Sequence, residues 1–250
     1  MHAKWAIFYF FPVWAREGGP QGFAAALKHR ATRQKIKQDK DFQTWVHEHG
    51  SWEGIVLGRA RQPQNKKFEG MRIAQIAKLR GDADPADTCL ALMAEENGTI
   101  AGIFHTMSEE DVRLVMKQPW VAIASDGSAL NLNEEGVPHP RSFSTNPRVL
   151  GHYVREEKVL TLEDAVRKMT ALPAQILGLR DRGQIREGFA ADLVIFDPGK
   201  VGETNTFEKP KSYPVGIPYT IVNGVVVIDG GKHTGARPGR PLFGRGHKKG

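Results

Sequence analysis

The 250-residue sequence predicts an α/β protein whose last third is a small antiparallel sheet. Two observations lead to this fold class. Between about residue 50 and residue 126, apolar runs of strand length alternate with helical segments, which is the pattern of βαβ units and a parallel sheet. After residue 150 a helical segment precedes β-rich runs, and Asn223–Gly224 between Val/Ile stretches is a strong hairpin signal.

The first predicted elements are mainly helical. From Gln21 to about Lys40, apolar residues recur at helical spacing within a charged segment, which predicts a surface helix. Asp84 before Pro85 predicts the cap and first turn of another helix, and Gly81 marks the end of the helix before it. The elements predicted in this region are a strand in SWEGIVLGRA and helices in MRIAQIAKLRGD and DPADTCLALMAEENG.

The next elements lead to a candidate catalytic residue. The run TIAGIFHTMS predicts a strand, SEEDVRLVMKQ a helix capped by Ser108, and WVAIASD a strand that ends on Asp126. Functional side chains of α/β sheets and barrels project from such strand ends, so Asp126 is a candidate. A helix cap or turn residue is the alternative for a carboxylate in this position.

The last third begins with a helix and continues with strands. The run TLEDAVRKMTALPAQILGL predicts a helix with Thr161 as its cap and one apolar face. The runs GQIREGFAADLVIFD and YTIVNGVVVIDGG predict the antiparallel sheet.

Composition limits the class of protein. The chain is 40% hydrophobic and 25% charged, which is ordinary for a globular protein, and no apolar run approaches the about 20 residues of a membrane helix. The N-terminal run WAIFYFFPVW lacks the features of a secretory signal, so we expect a cytoplasmic protein without a membrane partner. The single cysteine, Cys89, excludes a disulfide framework and a Cys-rich zinc site.

The net charge of +7 raises the alternative of a basic nucleic-acid-binding module. The positive charges concentrate in KHRATRQKIKQDK and in the tail RPGRPLFGRGHKKG, without interleaved aromatic residues or a nucleic-acid-binding motif. A solvated helix face and an exposed tail explain both runs, so we expect no nucleic-acid partner.

Several histidines and one arginine are candidate site residues. His47–His49 has the H-x-H pattern of a metal site, but it follows a Lys-rich helical segment, which favours a structural role. His105, near a predicted strand end, is a candidate whose alternative is a core or loop histidine. His139 and Arg141 lie in a Pro-rich loop, where a guanidinium would suit a carboxylate through two parallel hydrogen bonds; a surface arginine is the alternative.

In this order the motifs resemble those of the N-acyl-D-amino-acid deacylases, the D-aminoacylase branch of the amidohydrolase superfamily. The resemblance runs from about Pro12 to Arg240. The segments that carry it most clearly are ASDG, HPR, RVLGHYVREEKVLTLEDAVRKMTALPAQILGLRDRGQIREGFAADLVIFDP and VNGVVVIDGGKHTGARPGR.

The resemblance implies the C-terminal part of a metal-dependent (β/α)8 barrel, with an inserted α/β segment and a small C-terminal β-sandwich portion. It divides the chain into a late-barrel insertion segment (1–107), the last barrel strand and helices (108–180), a β-sandwich portion (181–240) and a basic tail (241–250). These boundaries are expectations of the resemblance.

The implied reaction is hydrolysis of an N-acyl-D-amino acid to a carboxylate and a free D-amino acid. In the family, zinc polarises the amide carbonyl and activates a bound water, while an aspartate takes the water's proton and passes it to the leaving nitrogen. Asp126 matches that aspartate, as catalytic residue and as metal ligand. Arg141, with His139 in the same HPR motif, matches the arginine that holds the substrate carboxylate, although the loop between Asp126 and Arg141 is a few residues longer here.

The family's other metal ligands, an H-x-H pair, a cysteine and two further histidines, lie upstream of the point where this chain begins. The resemblance therefore identifies a C-terminal half. It predicts that the isolated chain has little or no activity and does not retain zinc unless another chain supplies an N-terminal half. A non-catalytic remnant of a deacylase is the alternative.

Overall fold

The computed structural model describes residues 6–244, which form two compact units. The first unit comprises residues 6–107, 127–142 and 206–211, and the second comprises residues 108–126, 143–205 and 212–244. The ends of the predicted insertion segment and basic tail, residues 1–5 and 245–250, lie outside the described residues.

The first unit is helical around one pair of strands. Its helices are α1 (Ala6–Tyr9), α2 (Val13–Arg16), α3 (Gly19–Ala26), α4 (Arg30–Gln38), α5 (Lys40–Glu48), α6 (Ser51–Gly54), α7 (Ile73–Arg80) and α8 (Pro85–Glu95). A 3₁₀ helix covers Pro63–Phe68, and the strands are β1 (Ile55–Arg59) and β2 (Ala101–Phe104).

The helix caps of the first unit form where the sequence predicts them. The side chain of Asp84 accepts a hydrogen bond from the main-chain nitrogen of Ala86 at 2.9 Å, so it satisfies a donor at the start of α8. Lys37 of α4 adds ion pairs to Asp84 and to Asp87, at 2.6 and 2.8 Å. Gly81 ends α7 in the left-handed conformation.

The single helix predicted over residues 21–40 is instead two helices, α3 and α4. The backbone of His29 is extended, with φ −89° and ψ 124°, and α4 begins after it. Leu27, in the break, is fully buried together with Phe23 and Ile36. The break therefore lets apolar residues of both helices reach the same core.

The prediction of a parallel sheet is wrong for the described residues, because every strand pair within 6–244 is antiparallel. β1 and β2 pair with Ile55 opposite Phe104. Two packed helices, α7 and α8, connect these strands, whereas a parallel βαβ unit has one. The 3₁₀ helix lies in the same connection, so the connection is not the single crossover helix of a βαβ unit.

The second unit is a helical group followed by a four-stranded sheet. Its helices are α9 (Glu109–Met116), α10 (Arg141–Arg148, which starts in the first unit), a π-helix (Val149–Glu156), α11 (Leu162–Met169) and α12 (Ala171–Leu177). The sheet has the order β3 (Leu193–Ile195), β4 (Tyr219–Val222), β5 (Val225–Asp229) and β6 (Lys232–His233).

The predicted antiparallel sheet and its hairpin are confirmed. Asn223 and Gly224, between β4 and β5, have φ values of 47° and 80°. Two consecutive positive φ angles belong to the hairpin turn that best matches the twist of the flanking strands. The predicted caps of this unit are also confirmed, since Ser108 accepts from the nitrogen of Asp111 and Thr161 from that of Asp164.

The strand predicted over WVAIASD is not present, because residues 121–130 have no regular secondary structure. A strand needs a neighbouring strand to receive its main-chain hydrogen bonds. Here the main-chain nitrogen of Ile123 donates to the carbonyl oxygen of Lys168 in helix α11, at 3.0 Å. None of the helices within residues 6–244 has the length and apolar character needed to cross a bilayer.

Candidate active site

Asp126 is exposed and ends a segment of the second unit that starts after α9. Its φ is 46°, in the left-handed region, which aspartate tolerates better than most side chains but still adopts rarely. Such backbone conformations are concentrated at functional sites, where the surrounding structure holds them in place. Exposure and an unusual backbone are both consistent with a carboxylate that meets a substrate.

His139 and Arg141 belong to the first unit, in the loop of residues 127–142. The main-chain N–H of Arg141 donates to Nδ1 of His139 at 3.1 Å. The Arg141 side chain is half-buried, and burial lowers the pKa of its guanidinium from the usual value. A partly buried guanidinium attracts a carboxylate more strongly than a fully solvated one, because the local dielectric is lower.

A phenyl ring joins His139 to His105, the other histidine predicted as a candidate. The ring centroid of Phe207 lies 5.1 Å from that of His139 and 4.7 Å from that of His105. The pKa of His105 is lowered, mainly by burial and also by the positive charge of Arg72. The negative charge of Glu208 acts in the opposite direction. His105 is therefore a half-buried imidazole packed on an aromatic ring. Phe207 belongs to none of the sequence motifs that point to a site.

The loop of residues 127–142 is closed tightly at its base. The main-chain nitrogen of Ser128 donates to the hydroxyl of Ser142 at 3.2 Å. A Cβ atom placed on Gly127 would lie 2.9 Å from Cα of Ser142 and 3.0 Å from the carbonyl oxygen of Arg141. Because both atoms belong to the backbone, only glycine fits. The residue that follows Asp126 in sequence is thus packed against the backbone at Arg141.

We expect Gly127→Ala to lower the free energy of unfolding by about 1–3 kcal/mol, the usual cost of forcing an extra methyl group into a packed site. Urea denaturation of the full chain measures this change. The matched control is Gly239→Ala, because a Cβ at Gly239 meets nothing within 4 Å. Equal effects of the two substitutions would show that the base of the loop is not tightly packed.

The described residues do not make a metal site by themselves. Among residues 6–244 no group of three or more His, Cys, Asp or Glu side chains is close enough to hold a metal ion, whereas protein zinc sites use three or four ligands. Of the H-x-H pair, His47 is an exposed residue of α5, and His49 stacks on Trp45 with ring centroids 4.4 Å apart. Asp126 is the metal ligand that the family resemblance implies, but it does not complete a site with the residues described.

Two sizeable cavities, one in each unit, are formed by other residues. In the first unit an opening of about 920 Å³ has Arg80 and Glu95 in its wall, and these pair with each other at 2.9 Å. In the second unit an apolar cavity of about 640 Å³ lies between α11 and β3, with Val166 and Leu193 in its lining. The lining of neither cavity includes Asp126, His139 or Arg141.

Comparison with known proteins relates the chain to characterised enzymes. Residues 67–228, which include Asp126 and Arg141, match the amidohydrolase family. The chain is 40% identical over 174 residues to an N-acyl-D-glutamate deacylase of Alcaligenes xylosoxydans xylosoxydans, covering 69% of this chain and 33% of the relative. It is 44% identical over 140 residues to the D-aminoacylase of the same organism, covering 56% of this chain and 28% of the relative.

Solved structures give the same result. A crystal structure of a D-aminoacylase described as defining a novel subset of amidohydrolases matches with a TM-score of 0.64 and 34% identity, over 76% of this chain and 38% of that one. The N-acyl-D-glutamate deacylase of Bordetella bronchiseptica, complexed with zinc and a phosphonate inhibitor, matches with a TM-score of 0.63 and 29% identity. The match covers 86% of this chain and 44% of that one.

The chain thus spans about a third of the length of the curated relatives that it matches. Its mixed helices and sheets are those of a fold similar to the D-aminoacylase structures. The resemblance seen in the sequence motifs is confirmed by the family match and by these relatives. The chain belongs to the amidohydrolase family.

Proposed function

We propose that this chain is the C-terminal portion of a zinc-dependent amidohydrolase that hydrolyses the amide bond of N-acyl-D-amino acids, releasing a carboxylate and a free D-amino acid. The observation that carries the proposal is the 44% identity over 140 residues to a D-aminoacylase. The 40% identity to an N-acyl-D-glutamate deacylase supports the same substrate class.

In this proposal Asp126 is the catalytic residue. Its exposed carboxylate takes a proton from the attacking water and passes it to the leaving nitrogen, which makes an amine rather than an amide anion depart. Asp126 is also the one metal ligand proposed within this chain. The remaining zinc ligands are proposed to come from polypeptide outside these 250 residues, because the described residues do not fit a zinc site.

Arg141 is proposed to hold the carboxylate of the D-amino acid. Its half-buried guanidinium can form two parallel charge-assisted hydrogen bonds with that group. His139, whose Nδ1 accepts from the main-chain nitrogen of Arg141, is proposed as the second residue of the substrate-binding loop.

The test is reconstitution with a relative's N-terminal part. The full chain is co-expressed with the N-terminal two thirds of the Alcaligenes D-aminoacylase, loaded with zinc, and assayed for release of free D-amino acid. We expect stoichiometric zinc and activity in the combination, and little or no activity of the chain alone. If combinations with both Alcaligenes relatives bind zinc but release no D-amino acid, the proposal fails and the non-catalytic alternative is favoured.

Arg141→Met should raise KM in that combination by about 10- to 100-fold, the loss expected for a paired charge-assisted contact. The value of kcat should change much less, because the contact is made to a part of the substrate that does not react. The control is Arg237→Met, which removes an exposed guanidinium of the second unit. Equal KM values for the two variants would contradict the role of Arg141.

A further inference from the structure

A buried lysine holds the segment that leads to Asp126. The side chain of Lys168, in α11, is 0% exposed. Its ammonium donates to the main-chain carbonyl oxygens of Gln118 and Val121, the latter at 3.2 Å. Its own main-chain oxygen accepts from the nitrogen of Ile123 at 3.0 Å. One residue of the helix therefore makes three hydrogen bonds with the segment of residues 118–123.

Burying this ammonium has a desolvation cost that an apolar side chain would not have. In the part of the chain that the structure describes, no carboxylate contacts Lys168, and both acceptors are neutral main-chain carbonyls. A buried charge is unfavourable unless polar groups compensate for the water it loses. Methionine has a similar length and would fill the same space without that cost. The two hydrogen bonds from the ammonium to the segment are what lysine provides and methionine does not, whereas the main-chain bond with Ile123 is available to either residue.

The segment needs such bonds because it is not part of a sheet. Residues 121–130 have no regular secondary structure, so no neighbouring strand fixes them. Arg167, adjacent to Lys168, adds one more bond by donating to the carbonyl oxygen of Pro119 at 2.9 Å. Hydrogen bonds from the end of α11 thus hold the segment in place of the main-chain bonds of a neighbouring strand. Asp126, with its left-handed backbone, lies three residues beyond Ile123.

We propose that Lys168 is a positioning residue for the reaction. Its ammonium fixes residues 118–123, and so presents the Asp126 carboxylate to the substrate in one orientation. The catalytic consequence rests on the proposed function, whereas the anchoring of the segment does not. Lys168 does not itself touch the substrate.

The first experiment measures anchoring in the full chain alone. Lys168→Met is compared with Lys200→Met, which alters a lysine of the same unit whose side chain is 78% exposed. By NMR hydrogen exchange, we expect the amide of Ile123 to exchange about tenfold faster or more in Lys168→Met. The substitution removes the two ammonium hydrogen bonds to Gln118 and Val121, so the segment opens more often and the main-chain bond of Ile123 breaks with it. The control should leave this rate unchanged. An unchanged rate in Lys168→Met would overturn the proposal.

The second experiment measures catalysis in the active, zinc-loaded combination. We expect kcat of Lys168→Met, expressed per bound zinc, to fall about tenfold or more while KM stays within about twofold, since substrate binding is retained. Lys168→Gln, which keeps an N–H donor, should recover part of the loss. A lysine that only stabilised the fold would lower the yield of active enzyme but not kcat per zinc. Faster exchange with unchanged kcat would therefore also overturn the proposal.

These readouts separate the two proposals. If the unsubstituted combination is inactive, the proposed function fails, and the exchange rate of Ile123 still decides whether Lys168 anchors the segment. If Lys168→Met does not fold, Lys168→Leu, which also lacks a donor, takes its place in both experiments. An exchange rate at Ile123 equal to that of the unsubstituted chain, in whichever variant folds, counts against the inference.

Discussion

Replacing Asp126 with asparagine is expected to lower kcat of the zinc-loaded combination by about a thousandfold, within the range that a positioned acid–base group contributes. Asparagine has nearly the same shape and accepts the left-handed backbone of this position, where φ is 46°. Since the side chain is exposed, the fold should not change. The effect would then come from the loss of the proton-transferring carboxylate rather than from backbone strain. Release of free D-amino acid measures kcat, and circular dichroism checks the fold.

The matched control for this substitution is Asp229→Asn, at the exposed end of β5 in the same unit. It should leave kcat within about twofold of the unsubstituted combination, as expected of a surface substitution away from the site. An Asp126→Asn combination with more than a tenth of the original kcat would contradict a role in proton transfer.

Glu96→Ala should lower the free energy of unfolding by about 3 kcal/mol or more, because it leaves three donors, one of them on the buried Asn65, without an acceptor. The Glu96 side chain is only 1% exposed. Its carboxylate accepts from the main-chain nitrogen of Arg61 at 2.6 Å, from that of Gln62 at 3.1 Å, and from Nδ2 of the buried Asn65 at 2.8 Å. These bonds hold the turn between β1 and the 3₁₀ helix against the end of α8. Urea denaturation followed by tryptophan fluorescence measures the loss.

Glu48→Ala provides the comparison for Glu96, because Glu48 is an exposed residue in the last turn of α5. Its effect should stay within about 0.5 kcal/mol, the usual range for surface positions. A similar small effect at Glu96 would mean that water satisfies the donors and that the carboxylate is not structurally required.

Features that depend on neighbouring residues were predictable from the sequence. Asp84, Ser108 and Thr161 each cap a helix as expected, because a cap requires only a side-chain oxygen within two or three residues of a main-chain donor. The hairpin at Asn223–Gly224 has the same basis, since the turn is decided by two residues that tolerate positive φ.

Features that depend on distant partners were not predictable in the same way. The apolar run before Asp126 has the composition of a strand, but whether it becomes one depends on another strand lying beside it. Its contact is instead with Lys168 of α11. The antiparallel direction of β2 relative to β1 likewise depends on how these two distant segments pair in space.

The candidate site was identified from family motifs rather than from periodicity. Asp126 and Arg141 are candidates because they match the motifs ASDG and HPR, and their roles are predictions. Lys168 was missed because a lysine on a helix is usually solvated. The signal in the sequence is its spacing from Ala165, three residues earlier, which places both residues on one face of α11. In the structure both residues are 0% exposed.

The buried thiol of Cys89 can report local unfolding of the first unit. Cys89 is the sole cysteine of the sequence, it is 1% exposed on α8, and burial raises the pKa of its thiol to about 12. A thiol-specific dye reacts with the thiolate and must reach the sulfur, so labelling requires α8 to leave the surrounding apolar side chains. The labelling rate of the unmodified chain therefore records how often the first unit exposes its interior, without any engineered probe.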